Sequence, residues 1–202
     1  MARIGILGGT FNPPHVGHLI LAQEAHDQLG LDRVVLMPVN TPPHKELHAD
    51  PGPAVRAELC RMAVAGDSRF EVSTWEIDHD GPSYTADTLR ALAAAQPGDE
   101  LTFLVGGDMA HSLPTWREPE QILALASLGV AERQGIGRED ILARLAPLDP
   151  DGTRVRFFDV ARMDLSSSLI RRRAAAGLSV RYLVPATVAE YVDGHGLYRP
   201  QR

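Results

Sequence analysis

The sequence predicts an α/β chain whose parallel sheet is doubly wound in the Rossmann-like manner and closed by a small C-terminal helical cap. Three observations carry this. Short Val/Ile/Leu-rich runs alternate with segments of helical spacing, the order that βαβ units with right-handed crossovers require. Several runs lack the apolar–polar alternation of a strand with one wet face, so helices should cover both sides. Polar clusters, many with glycine, follow the strand candidates, where a crevice at the strands' carboxyl ends takes ligands.

The first strand candidate, residues 3–7, runs straight into a glycine-rich turn. Residues 16–29 follow with apolar side chains at 16, 19, 20, 22, 25 and 29, which is helical spacing, and Gly30 is placed to end the helix. A second strand at 34–37 opens an irregular, proline-rich segment, 38–53, read as a candidate mobile loop. A helix at 53–65 ends at Gly66, a third strand covers 70–77, and a helix at 85–95 stops before Pro97-Gly98. The fourth strand, 101–105, leads through a short helix at 119–126 to the fifth, 128–131; a helix at 139–145 then leads to the sixth, 155–160. Helices at 166–176 and 185–193 come last, stopped by Gly177 and Gly194. With no clear strand between them, they read as a cap packed on the sheet. The chain reads as one domain, 1–202, with a sheet core over about 1–163 and a helical part over about 164–202.

At 202 residues, 44% apolar and 23% charged, the chain can bury a substantial core. A net charge of −6 with no basic tract argues against a nucleic-acid partner. No apolar run approaches the roughly 18 residues of a membrane span, and no cleavable apolar leader precedes the first strand. The expected setting is cytoplasmic. The single cysteine, Cys60, excludes an internal disulfide and reads as a small core residue. A homo-oligomer is compatible with the sequence, which does not fix that state.

The chemistry starts at Gly8-Gly9-Thr10-Phe11-Asn12-Pro13-Pro14-His15-Val16-Gly17-His18. Strand, glycine-rich turn and helix start together present unpaired backbone N–H groups to a phosphate. His15 and His18 lie one helical turn apart, and each imidazole can donate to a phosphate oxygen. The segment lacks the Gly-Lys-Ser/Thr ending of a P-loop and the three-glycine spacing of a dinucleotide fingerprint. A His-x-x-His pair alone is more often a tight turn with surface histidines; the resemblance of the whole run to a family signature reverses that weighting. A second cluster, Leu165-Ser166-Ser167-Ser168-Leu169-Ile170-Arg171, puts hydroxyls at a helix start. Capping needs one serine. The others, with Arg171 one turn on, would make a second phosphate site.

Both clusters resemble signatures of the nucleotidyltransferase superfamily, Gly-Thr-Phe-Asp-Pro-x-His-x-Gly-His and Ile-Ser-Ser-Thr-x-Ile-Arg. Asn12 stands where that pattern has Asp, Leu165 for Ile and Ser168 for Thr. The middle of the chain narrows the resemblance: Thr41-Pro42-Pro43-His44-Lys45, Gly81-Pro82-Ser83-Tyr84-Thr85, Gly106-Gly107-Asp108, Leu113-Pro114-Thr115-Trp116 and Glu132-Arg133, with Tyr182-Leu183-Val184-Pro185 and Gly196-Leu197-Tyr198 near the end. From end to end the set resembles the bacterial nicotinate-nucleotide adenylyltransferase family; it departs most over 134–151, where Gln134 replaces the Pro of the family's Arg-Pro-Gly.

The resemblance implies transfer of the adenylyl group of ATP to nicotinate mononucleotide, giving nicotinate adenine dinucleotide (NaAD) and pyrophosphate in NAD biosynthesis, with Mg²⁺ carried on the ATP phosphates rather than in a protein metal site. It implies that His15, His18 and Arg171 act on the phosphates, and that Gly8, Gly9, Thr10, Phe11, Gly106, Asp108, Ser167 and Ser168 complete the ATP site. It implies Lys45, Tyr84, Thr85, Trp116 and Arg133 for the mononucleotide. Plainer readings stand beside these: Trp116 as a surface anchor, Asp108 as a cap, Arg133 in a surface ion pair, Lys45 as a solvated loop charge. Competing functions are a related transferase using nicotinamide mononucleotide or phosphopantetheine, and a nucleotide-binding regulator without chemistry. Zinc hydrolysis at His15 and His18 lacks the third close ligand such sites use.

Overall fold

The computed structural model describes residues 1–42, 47–132 and 136–200. Six strands, β1 (Arg3–Gly9), β2 (Arg33–Pro38), β3 (Phe70–Val72), β4 (Glu100–Gly106), β5 (Ala126–Glu132) and β6 (Val155–Asp159), pair in parallel in the order β3-β2-β1-β4-β5-β6. The chain winds outward from β1 through β2 to β3, then crosses back to β4 on the other side of β1 and winds outward again. The crevice of such a sheet opens at the carboxyl ends of β1 and β4, where the winding reverses.

Helices cover both faces: α1 (Val16–Leu29), α2 (Pro53–Val64), α3 (Thr85–Ala95), α4 (Gly107–Ser112), α5 (Pro119–Leu125) and α6 (Arg138–Leu145). Successive strand residues point to opposite faces, and the core divides accordingly. Val35 and Met37 of β2 join Ile4, Ile6, Phe103 and Val130 in one apolar cluster under α3, α5 and α6. Val34 and Leu36 join Leu7, Leu104 and Phe158 in the other, against α1 and α2. Gly129 lets α1 approach β5: a Cβ there would meet Leu104 Cδ2 at 2.7 Å and Leu29 Cδ1 at 2.9 Å.

Three expectations are corrected. The third strand stops at Val72 rather than running to residue 77, because the Thr74 carbonyl accepts from the N–H groups of Ile77 (2.8 Å) and Asp78 (2.9 Å) and turns the chain. The short helix α4, absent from the sequence reading, follows β4 directly. The C-terminal helices α7 (Ser167–Ala175) and α8 (Ala186–Gly194) seat on α2 rather than on the strands: Ile170, Val188 and Val192 bury Leu59 of α2 in a third apolar cluster. Cys60 is buried and its thiol is pushed up by burial. Among the described residues no helix is long and apolar enough to cross a membrane.

Candidate active site

At the carboxyl end of β1, Gly8 and Gly9 pair with Met37 and Pro38 of β2. Phe11 turns the chain in the left-handed region (φ 48°), a conformation costly for a bulky residue. Its ring is buried and meets His18 edge-on at 5.0 Å. His15 caps α1, and its backbone N–H donates to His18 Nδ1 at 3.1 Å, the reciprocal arm of a capping box. Because Nδ1 accepts, neutral His18 carries its proton on Nε2. The two imidazoles stack at 3.6 Å and 20°. Gly17 leaves room for this, since a Cβ there would lie 3.1 Å from His15 Nδ1.

The far end of the chain closes over this loop. Ser166 caps α7, its hydroxyl accepting from the Leu169 N–H at 3.2 Å. Ser167 donates to the Pro13 carbonyl at 2.8 Å. Arg171 donates to the Asn12 carbonyl at 2.8 Å and to Ser168 Oγ at 3.2 Å, leaving the Ser168 proton to point elsewhere. Tyr198 donates to Asn12 Oδ1 at 2.8 Å, and the Val16 N–H, one of the groups a phosphate could have used, donates to the Leu183 carbonyl at 3.1 Å.

Between these segments lies a cleft of about 330 Å³ lined by Thr10, His15, His18, Ser167, Ser168 and Arg171 among others. Imidazoles, hydroxyls and a guanidinium thus face one polar space sized for a polyphosphate. A second cleft, about 580 Å³, shares Val160 and Met163 with the first and extends along Gly107, Ile136, Gly137 and Ile141. It lies at the carboxyl ends of β4 and β5. Asp108 is exposed beside it, with Oδ1 folded so close to Gly106 that a Cβ there would meet it at 2.9 Å.

Of the remaining predicted residues, two lie at the start of α3. Tyr84 caps this helix and Thr85 is its first residue. Arg117 lies over the Tyr84 ring at 4.5 Å and pairs with Asp87 at 3.4 Å. Trp116, next in the chain, packs edge-on to Phe103 at 6.1 Å and donates its indole N–H to Ser112 Oγ at 3.1 Å. It is half-buried rather than a free surface anchor. Asp87 is neutralised by Arg90 as well, at 2.7 Å, so the first-turn N–H groups are not shadowed by an unpaired anion. Lys45 and Arg133 fall outside the described residues.

Sequence reasoning passed over several residues here. Arg56, on α2, is fully buried and donates to the carbonyls of Thr10 (2.9 Å), Val39 (2.7 Å) and Asn40 (3.0 Å) and to Asp50 Oδ1 (3.0 Å). His48 lines the first cleft. The Glu76 carboxyl is buried, accepts from Thr88 Oγ1 at 2.6 Å and is pushed above its ordinary value by that burial. A residue such as Arg56 leaves little local signal, since arginine one turn into a helix usually reads as solvated. Among the described residues no three His, Cys, Asp or Glu side chains converge to hold a metal ion.

A family model described as cytidylyltransferase-like matches residues 6–173. The chain is 41% identical over 98% of its length to a probable nicotinate-nucleotide adenylyltransferase of Trichlorobacter lovleyi, and 43% identical over 98% to one of Thermus thermophilus, covering 100% of each relative. Among solved structures it resembles the Plasmodium falciparum nicotinic acid mononucleotide adenylyltransferase complexed with NaAD (TM-score 0.80, 16% identity, 98% of both chains). It likewise resembles a putative nicotinate-nucleotide adenylyltransferase of Vibrio parahaemolyticus (TM-score 0.70, 20% identity, 100% of this chain and 98% of that one).

Proposed function

That the chain belongs to the nicotinate-nucleotide adenylyltransferase family is the premise from which we infer that it transfers the adenylyl group of ATP to nicotinate mononucleotide, giving NaAD and pyrophosphate. The observation that carries the reading is the meeting of His15 and His18 with Ser168 and Arg171 around one cleft. A 5′-phosphate oxygen of the mononucleotide attacks the ATP α-phosphorus; that P–O bond forms as the bond to the β-phosphate oxygen breaks and pyrophosphate leaves. The attacking oxygen is already an anion, so no general base or protein nucleophile is needed. Catalysis reduces to aligning two polyanions and neutralising charge on the leaving group.

In this reading His18 donates from Nε2 and His15 stacks behind it, while Ser168 and Arg171 hold the β/γ end. Ser167 keeps the two chain ends together. The second cleft takes the adenosine, with Asp108 accepting from the ribose hydroxyls. The start of α3 receives the nicotinate carboxylate at the Thr85 end, with Tyr84 and Arg117 beside it, and Trp116 offers its ring face. Among the described residues no side chains cluster to cage a metal ion, and Mg²⁺ would come with the ATP phosphates and offset their charge there. A cytoplasmic setting accords with these substrates.

The test is NaAD formation by the purified chain from ATP and nicotinate mononucleotide, followed by chromatography, with nicotinamide mononucleotide and phosphopantetheine as rival acceptors. NaAD with kcat/KM highest for the acid supports the reading. A folded protein that makes none, or that prefers a rival, overturns it.

A further inference from the structure

Asn40 holds two structures together. Its carbonyl accepts from Arg56, whose other bonds reach Thr10 beside the phosphate loop. Its N–H donates to Ser83 Oγ at 3.2 Å, and its Nδ2 to the His79 carbonyl at 3.1 Å. Ser83 in turn donates its N–H to the Thr41 carbonyl at 3.0 Å and lies one residue before Tyr84, the cap of α3. An unbroken line of hydrogen bonds therefore runs from Thr10, at the ATP end of the crevice, through Arg56 and Asn40 to Ser83, at the acceptor end. The Asp50 carboxylate also accepts from the Gly52 N–H at 3.3 Å, so Arg56 holds both ends of the 39–52 segment.

A buried arginine is an odd choice if filling space were all that mattered. Burying a charge carries a large desolvation cost, and an apolar residue of similar volume is often no less stable. What an apolar residue lacks is a rigid planar fork able to fix three carbonyls of irregular backbone at set distances. Those carbonyls follow β1 and β2, at the edge of the crevice where the two phosphates must meet in line.

We propose that Arg56 is a positioning residue for the transfer step, setting the distance between the Thr10 side and the Ser83 side of the crevice and so the approach of one substrate to the other. It touches neither substrate; it acts through Thr10, Asn40 and Ser83. The inference rests on the adenylyl-transfer reading. Reactions of this kind need near-attack distances of about 3–3.5 Å, and a misplacement near 1 Å costs on the order of 10²-fold in rate.

The experiment measures kcat and both KM values for NaAD synthesis by the full chain in Arg56→Lys, Ser83→Ala and the double variant, beside thermal unfolding. A single ammonium cannot reach all four partners. Arg56→Lys is expected to lose about 10²-fold in kcat with both KM values held within about threefold, the signature of an interaction that matters in the transition state. Ser83→Ala should show the same split, more weakly. The double variant should lose no more than the worse single variant, because both cut one line of bonds. Unchanged kcat in a folded Arg56→Lys overturns the proposal. So does a rise in both KM values at constant kcat, or losses that multiply. Should Arg56→Lys fail to fold, Ser83→Ala decides, and wild-type kcat there overturns the proposal. A wild-type chain that makes no NaAD removes the functional reading, and this inference with it, before any variant is compared.

Discussion

The guanidinium of Arg171 donates to the Asn12 carbonyl at 2.8 Å across 159 positions of sequence. Asn12 is in effect the clasp of the molecule: its carbonyl takes Arg171, its Oδ1 takes Tyr198, and its Nδ2 donates to the Ala49 carbonyl at 3.4 Å. An aspartate, the residue the superfamily signature has here, could accept from Tyr198 but could not donate to Ala49. The asparagine thus fits the neighbours it has.

The first prediction concerns this clasp. Burial pushes the Tyr198 phenol up, so it remains a donor at any working pH. Tyr198→Phe leaves the buried Asn12 Oδ1 without that donor, which costs about 1–3 kcal/mol. For a chain of this size that lowers Tm by roughly 2–4 °C per kcal/mol. Calorimetry on the two proteins checks it; equal Tm values would show that solvent replaces the phenol.

His18 should matter to rate rather than to acceptor binding. Its Nδ1 accepts from the His15 N–H, so in the neutral ring Nε2 carries the proton. His18→Ala should lower kcat by about 10²-fold or more, the size of one lost transition-state donor, with the KM for mononucleotide nearly unchanged. Steady-state kinetics decide this, and an unaltered kcat removes His18 from the reaction.

Trp116 is tested by which substrate weakens. Its indole N–H is held by Ser112 and its edge by Phe103, which fixes the plane of the ring. Trp116→Ala should raise KM for the mononucleotide while KM for ATP stays put, and Trp116→Phe should restore much of it. Equal weakening of both substrates would make the ring a packing element alone.

Glu76 offers a pH test. Burial raises its carboxyl above the ordinary 4.5, against the opposing hydrogen bonds from Thr88 and Ser83. The folded chain therefore holds this proton more tightly than the unfolded one. The stability contributed by the protonated group is complete below the unfolded value and is lost as pH rises through the folded value. Glu76→Gln cannot ionise. The stability of wild type minus that of Glu76→Gln should be greatest near pH 4 and shrink toward pH 7 in denaturant melts. A difference that grows with pH would contradict the burial argument.

Much of this fold is legible in sequence because its rules are local. Apolar strand runs and glycine stops mark five of the strands closely and most helices to within a residue or two. The third strand misleads because Trp75 and Ile77 continue an apolar pattern that the Thr74 carbonyl has already turned. The helix α4 hides because six residues starting Gly-Asp carry no period. His15, His18, Ser167, Ser168 and Arg171, which line one cleft, stand out in the sequence because they sit in contiguous motifs. Arg56 and Asn40 are not, because their partners come from separate loops and no spacing within either segment announces them. The seating of α7 and α8 on α2 is hidden for a related reason: an amphipathic helix shows which side it buries, not against what.

Tyr198 meets Asn12 across 186 positions of sequence, a consequence for how the protein is made as well as for how it works. Loop closure over such a span is entropically slow, and a ribosome delivers residue 12 long before residue 198. The strands around β1 can pair early, yet the bonds that Arg171 and Tyr198 make to Asn12 can close only once those distant residues have been delivered.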